Sequence, residues 1–161
     1  DKKFLLVIVG KGEWHQRLSN QIDKLGLGNY VRMVGKITGE QIHLYYESAD
    51  LFVLPTLSIE GFGLATVEAL ASGLPAMGTP VGGTVEILGD IDQKLLFKGT
   101  EPESLADGVE DFLQNPHYYF ALKQKCRLRA EEKYDWEQVV DRLEKSFLNV
   151  APGHDKPSHK N

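Results

Sequence analysis

The feature that most constrains this chain is an alternation repeated along its length. Short runs of large apolar residues, each stopped by Gly or Pro, are separated by longer stretches whose apolar residues recur at helical spacing. Residues 4–9 run without a polar break into Gly10, the pattern of a parallel strand buried on both faces. Between 13 and 25, Trp14, Leu18, Ile22 and Leu25 recur every three or four residues, and Gly26 and Gly28 end the pattern, which predicts an amphipathic crossover helix. A short strand over 31–34 is closed by Gly35. Thr38 with Gln41 three residues on makes a capping-box start for a helix carrying Ile42, Leu44, Tyr45 and Ala49.

Asp50 leads into a strand at 51–54 that Pro55 stops. A helix over 64–71 ends at Gly73, a short strand covers 75–77, and a turn contains Gly82 and Gly83. A last strand is expected at 94–97, followed by helices over 102–114, 118–134 and 136–150. Pro116 separates the first two of these, and Asp135 is placed to cap the third. Such an alternation predicts an α/β fold, a doubly wound Rossmann-like parallel sheet with right-handed crossovers. No internal repeat or second domain interrupts residues 1–150. The tail 151–161, with two prolines, a glycine and no large apolar residue, is expected to be disordered. Ligands of open parallel sheets bind at the carboxyl ends of the strands, so the turns after Val9, Val34, Leu54 and Met77 are the ones to inspect.

Composition narrows the function classes. The hydrophobic fraction of 42% and charged fraction of 25% are those of a globular protein. A net charge of −5, with Lys123, Lys125, Arg127 and Arg129 only scattered, argues against nucleic acid as a partner. The single cysteine, Cys126, excludes a disulfide framework and reads as a small helix residue. No apolar segment reaches the roughly 20 residues of a membrane span and no leader precedes the first strand, which points to the cytoplasm. The chain starts at Asp1 and enters a strand almost at once, as a fragment of a longer protein would.

The chemistry concentrates in 57–70. Two glycines, Gly61 and Gly63, surround Phe62 just ahead of a helix. A turn of this kind presents free N–H groups, and the helix behind it aims its positive end at the same place; that combination suits a diphosphate. Between Phe62 and Met77 the only ionisable side chain is Glu68, set in an otherwise apolar helix where an unpaired buried carboxylate would cost several kcal/mol. Glu60 stands upstream, with seven residues between the two. A vicinal diol offers two donors to one carboxylate, a charge-assisted arrangement that needs no metal. Glu60 on sugar hydroxyls and Glu68 on ribose hydroxyls would therefore bracket a nucleotide-diphosphate sugar.

These residues resemble the retaining GT-B glycosyltransferases of family four, whose donor-binding domain carries two glutamates so spaced around a Gly-Phe-Gly turn. Further landmarks stand in family order: the strand ending at Gly10, the one ending at Gly35, Ala49-Asp50, Pro55, Ser72-Gly73-Leu74-Pro75, Val81-Gly82-Gly83 with Glu86, and Tyr134-Asp135-Trp136. The resemblance covers about residues 3–150 and implies the C-terminal, donor-binding half of a GT-B enzyme. By that resemblance Glu60 contacts the transferred sugar and is the catalytic-site residue, and the amides of Gly61, Phe62, Gly63, Leu64 and Ala65 meet sugar and phosphates. Glu68 holds the ribose, Gly35, Lys36 and Ile37 flank the base, and Gly10 and Gly12 close the near wall of the cleft.

The resemblance also implies retention of anomeric configuration and no metal or other cofactor. The implied partners are a nucleotide-sugar donor, an N-terminal acceptor-binding domain, and a glycan or lipid-linked acceptor, with the full-length enzyme peripheral to a membrane. Family members carry, on a preceding strand and loop, an Arg and a Lys that meet the diphosphate. Neither lies in this sequence, so weak donor binding and no turnover are expected of the chain alone. The competing classes are a non-catalytic nucleotide-sugar-binding module and a GT-B-fold epimerase or phosphorylase.

Other motifs read more simply. Gly10-Lys11-Gly12 has His15 where a dinucleotide fingerprint needs its third glycine. Asp90-Ile91-Asp92 imitates a metal-binding Asp-x-Asp but reads as a solvated loop. His15, His43, His117, His154 and His159 have no spacing that puts two on one helix face. Among the aromatic residues, the helix from Trp136 is the best candidate to pack on the other domain, provided that it exposes an apolar stripe.

Overall fold

A computed structural model describes residues 4–150, and the expected tail at 151–161 lies outside them. The chain divides into two compact units, one ending at Ser48 and the other beginning at Ala49.

The first unit holds strand β1 (Leu6–Val9), helix α1 (His15–Lys24), strand β2 (Val31–Gly35) and helix α2 (Gly39–Ser48). β1 and β2 pair in parallel, Leu6 opposite Val31 and Val9 opposite Gly35, with an irregularity between Ile8 and Val9. The expected capping box is half realised: the Thr38 N–H donates to Gln41 Oε1 at 3.3 Å. One expectation fails here. The 4–9 run is not buried on both faces, because Leu6 is 45% and Val7 37% exposed. The strand also starts at Leu6 rather than at Phe4. β1 has β2 along one edge, and of its side chains only Ile8 is half-buried.

The second unit holds strand β3 (Phe52–Leu54), helix α3 (Leu64–Ala71), strand β4 (Ala76–Gly78), helix α4 (Gly83–Gly89) and a 3-10 turn (Gln93–Leu95). Helices α5 (Pro102–Gln114), α6 (Pro116–Ala121), α7 (Lys123–Tyr134) and α8 (Trp136–Val150) complete it. β3 and β4 pair in parallel, Phe52 opposite Ala76 and Leu54 opposite Gly78. Every recorded strand pairing is therefore parallel, as the alternation requires.

The core belongs to this unit: Leu70, Ala76, Met77, Ile87, Leu88, Ile91, Leu95, Phe97, Phe112, Tyr119, Cys126 and Ala130 form one buried cluster. α3 packs against α7, and α4 against β4. The latter contact is close enough that a Cβ on Gly78 would overlap the Thr84 methyl.

Three sequence expectations need correction in this unit. The strand at 94–97 is reduced to the 3-10 turn plus a single parallel bridge between Gly78 and Leu96. Asp92 captures the Lys94 N–H at 2.9 Å, and this side-chain cap favours a turn over an extended start. The helix at 118–134 is broken at Leu122 into α6 and α7. The expected Gly82-Gly83 turn continues directly into a helix, α4. By contrast, Asp135 caps α8 as expected, accepting from the Glu137 N–H at 2.9 Å.

Candidate functional site

The turn ahead of α3 is built by a left-handed glycine. Gly63, at φ 88° and ψ 47°, is the residue before the helix, and its carbonyl accepts the first ladder bonds, from Thr66 N at 2.9 Å and Val67 N at 3.2 Å. A side chain there would be strained. The amides of Leu64 and Ala65 thus precede the ladder at the positive end of the helix. Leu64 is exposed and Ala65 half-buried, and Phe62 is exposed on the other side of Gly63.

Glu60 is half-buried, and its Oε2 accepts from the Thr56 hydroxyl at 3.2 Å. Thr56 is itself anchored: its carbonyl accepts from the Thr79 hydroxyl at 2.6 Å. The loop after β3 is thereby tied to the end of β4, where the Thr79 N–H donates to the Leu54 carbonyl at 3.2 Å. The loop also touches the start of α4, where the Gly83 N–H lies 3.4 Å from the Glu60 carbonyl oxygen. A Cβ on Gly82 would overlap that oxygen, and one on Gly83 would come to 2.7 Å of the Phe62 carbonyl oxygen. Only bare backbone fits beneath this turn.

Glu68 sits one turn into α3, about 6 Å along the axis from Leu64 at 1.5 Å per residue, on an exposed face. Glu68 is thus exposed rather than buried, and burial places no demand on its pairing. Its placement on the helix behind the turn is what remains. The structure accordingly brings Glu60, Gly61, Phe62, Gly63, Leu64, Ala65 and Glu68 together in one unit around one helix start.

The remaining predicted site residues form a second group, within the first unit. The Gly10 N–H donates to the Gly35 carbonyl at 2.8 Å, joining the turns at the carboxyl ends of β1 and β2. Gly12 begins the lead into α1, its carbonyl accepting from His15 N at 3.2 Å. Lys36 is exposed, and Ile37 is half-buried. Sequence reasoning missed Thr56, Thr79 and Tyr134 as parts of the first group. Thr79 is 23 residues from Thr56, and no local pattern signals such a contact.

Asp90-Ile91-Asp92 is a turn with Asp90 exposed, as expected, and both of its carboxylates have partners. Asp90 pairs with Arg129 and, at 3.1 Å, with Lys133 on α7. The hydrogen bond from Lys133 holds its carboxyl below the usual range. Ile91 is buried in the core, and Asp92 accepts from the Tyr118 hydroxyl at 2.6 Å. Cys126 is fully buried, and desolvation pushes its thiol up to about 11. Among the described residues no helix is long and apolar enough to cross a membrane.

The model of the family described as "Glycosyl transferases group 1" matches residues 1–145, so this chain belongs to that family. An uncharacterized glycosyltransferase of Methanocaldococcus jannaschii is 30% identical over 90% of this chain and 36% of its own length. The GDP-mannose-dependent alpha-(1-6)-phosphatidylinositol monomannoside mannosyltransferase of Mycolicibacterium smegmatis is 28% identical over 86% of this chain and 38% of its own length. Among solved structures, Anabaena HepE in complex with UDP superposes with a TM-score of 0.83 at 20% identity, over 91% of this chain and 41% of its own. That likeness shows the fold, which is the α/β, parallel-stranded fold of the GT-B glycosyltransferases. The chain spans well under half the length of each of these proteins.

Proposed function

We propose that residues 1–150 are the donor-binding, C-terminal half of a retaining GT-B glycosyltransferase that transfers a hexose from a nucleotide-diphosphate sugar to a glycan or lipid-linked acceptor. The observation that carries the reading is the Glu60–Gly63 turn. A half-buried carboxylate is held by Thr56 beside a left-handed glycine at the start of α3, with Glu68 on the same helix. The family match supports it, as do the relatives that use GDP-mannose or were solved with UDP.

In this reading Glu60 accepts hydroxyls of the sugar. The amides of Gly61 to Ala65 and the partial positive charge of the helix, about half an elementary charge, meet the diphosphate. Their role in catalysis is to stabilise the charge that gathers on the departing diphosphate as the anomeric carbon–oxygen bond breaks. Glu68 accepts the ribose hydroxyls. Gly35, Lys36 and Ile37 flank the base, and Gly10 and Gly12 wall the cleft. No metal or cofactor enters this scheme. The other half of the enzyme binds the acceptor. The exposed apolar stripe of α8, with Trp136 at 77% and Phe147 at 66% exposed and Val140 and Leu143 between them, supports packing of this helix on that half.

Titration calorimetry with uridine and guanosine diphosphates, each in ribose and 2′,3′-dideoxyribose forms, tests the reading. The ribose form should bind more tightly to the wild-type protein. Glu68→Ala should weaken it by about tenfold or more and leave the dideoxy form unchanged. Equal affinity for both forms in the wild-type protein removes Glu68 from the site. Glu60→Ala should weaken a sugar nucleotide more than the bare diphosphate, and equal losses count against its role.

A further inference from the structure

The Glu60–Gly63 turn has two sets of contacts, and the second comes from far along the chain. The first is the Gly82-Gly83 backbone. In the second, the Phe62 ring meets the Tyr134 ring edge-on, with centroids 5.5 Å apart and planes at 79°. Tyr134 is the last residue of α7. Its neighbour Lys133 reaches Glu86 at 3.4 Å and Asp90 at 3.1 Å, and Arg129 also pairs with Asp90. These ties fix the end of α7 to α4, the same helix whose start supports the turn. Arg142 of α8 closes the end of α7 by donating to the Lys133 carbonyl at 2.6 Å.

We propose that Tyr134 is a positioning residue of the donor site: its ring and the Gly82-Gly83 backbone together hold the 60–63 turn, so that the amides ahead of α3 stand ready before a diphosphate arrives. The inference rests on the donor-site reading above. Preorganisation is the physical reason it matters, because an amide cradle that must be ordered at binding spends affinity on its own entropy. The Tyr134 hydroxyl is buried and has no hydrogen-bond partner among the described residues. An unsatisfied buried hydroxyl costs stability, so here the ring, not the hydroxyl, is the functional part. That separates a positioning role from a hydrogen-bonding one.

The test uses the full chain and two readouts. Hydrogen exchange without ligand reports the turn. Amides 61–65 should exchange about tenfold faster in Tyr134→Ala and at the wild-type rate in Tyr134→Phe, while those of α5 stay unchanged. Titration with uridine and guanosine diphosphates reports the consequence: affinity should fall about tenfold in Tyr134→Ala and within twofold of wild type in Tyr134→Phe. Phe62→Ala removes the same contact from the other side, so adding it to Tyr134→Ala should cost nothing further, which covers the case in which loss of the tyrosine perturbs folding. Unchanged exchange at 61–65 in both alanine variants overturns the proposal, and so does diphosphate affinity equal to wild type in both. A wild-type protein that binds neither diphosphate, yet shows the loosened turn in Tyr134→Ala, defeats the donor-site reading and leaves only a structural clamp.

Discussion

β1 carries Leu, Val, Ile and Val, whereas β4 carries only Ala, Met and Gly. Yet β4 is sealed, with Ala76 and Met77 at 2% exposure or less, while β1 is open to water on most of its length. The difference lies in what each strand is given to pack on. β4 has β3 along one edge, the bridge to Leu96 along the other, and α4 against it, with Gly108 of α5 bringing that helix to 3.1 Å of the Met77 side chain for a Cβ built on it. β1 has β2. Apolar residues make a strand want burial, but layers on its faces deliver it, and those come from other parts of the chain.

The comparison can be broken most directly by core truncation. Ile87→Ala, at a side chain 1% exposed, should destabilise the second unit by about 2–5 kcal/mol in denaturant unfolding. Val7→Ala in β1 should cost about 1 kcal/mol or less. Similar costs for the two would mean that the exposed strand is buried in solution. A smaller effect is chemical. With its thiol buried and pushed up to about 11, Cys126 should resist alkylation at pH 8 in the native protein and react fully in denaturant; rapid native labelling would show that the α7 core opens readily.

The smallest effect concerns acid. The Asp90 carboxyl is held below its ordinary value of 3.8, chiefly by the Lys133 hydrogen bond. A carboxylate with a depressed folded-state pKa contributes stability that is present above the unfolded value and is lost as the pH falls through the folded one. Thermal unfolding of wild-type protein should therefore fall more steeply below about pH 4 than that of Asp90→Asn, and identical acid profiles would remove the α4–α7 ion cluster from the stability of this unit.

Much of the scaffold is legible in the residues. Gly and Pro punctuation places β2, β3 and α3 to within a residue or so, α5 and α8 match their expected bounds, and the Asp135 cap is read correctly, because each depends on contacts only a few residues apart. The candidate site is legible for the same reason: Glu60, the Gly-Phe-Gly turn and Glu68 are neighbours on one loop and helix. Illegible were α4, whose Gly-Gly start looks like a turn, and the fate of 94–97, where the Asp92 cap competes with strand pairing. The exposure of Glu68 was also hidden, since its direct neighbours Ala69 and Leu70 are buried, while Glu68 shares the exposed face of α3 with the apolar Leu64.

Local order in this chain, its parallel-strand rhythm and its glycine-hinged helix start, was set by the residues themselves, because a backbone turn or a cap involves only groups that covalent neighbours bring within reach. Tertiary structure alone decided which strand is sealed, that Thr79 steadies Thr56 and so Glu60, and that Tyr134 meets Phe62 across more than seventy positions. Those contacts depend on how helices pack over strands, and the side chains involved carry no mark of it until the layers close.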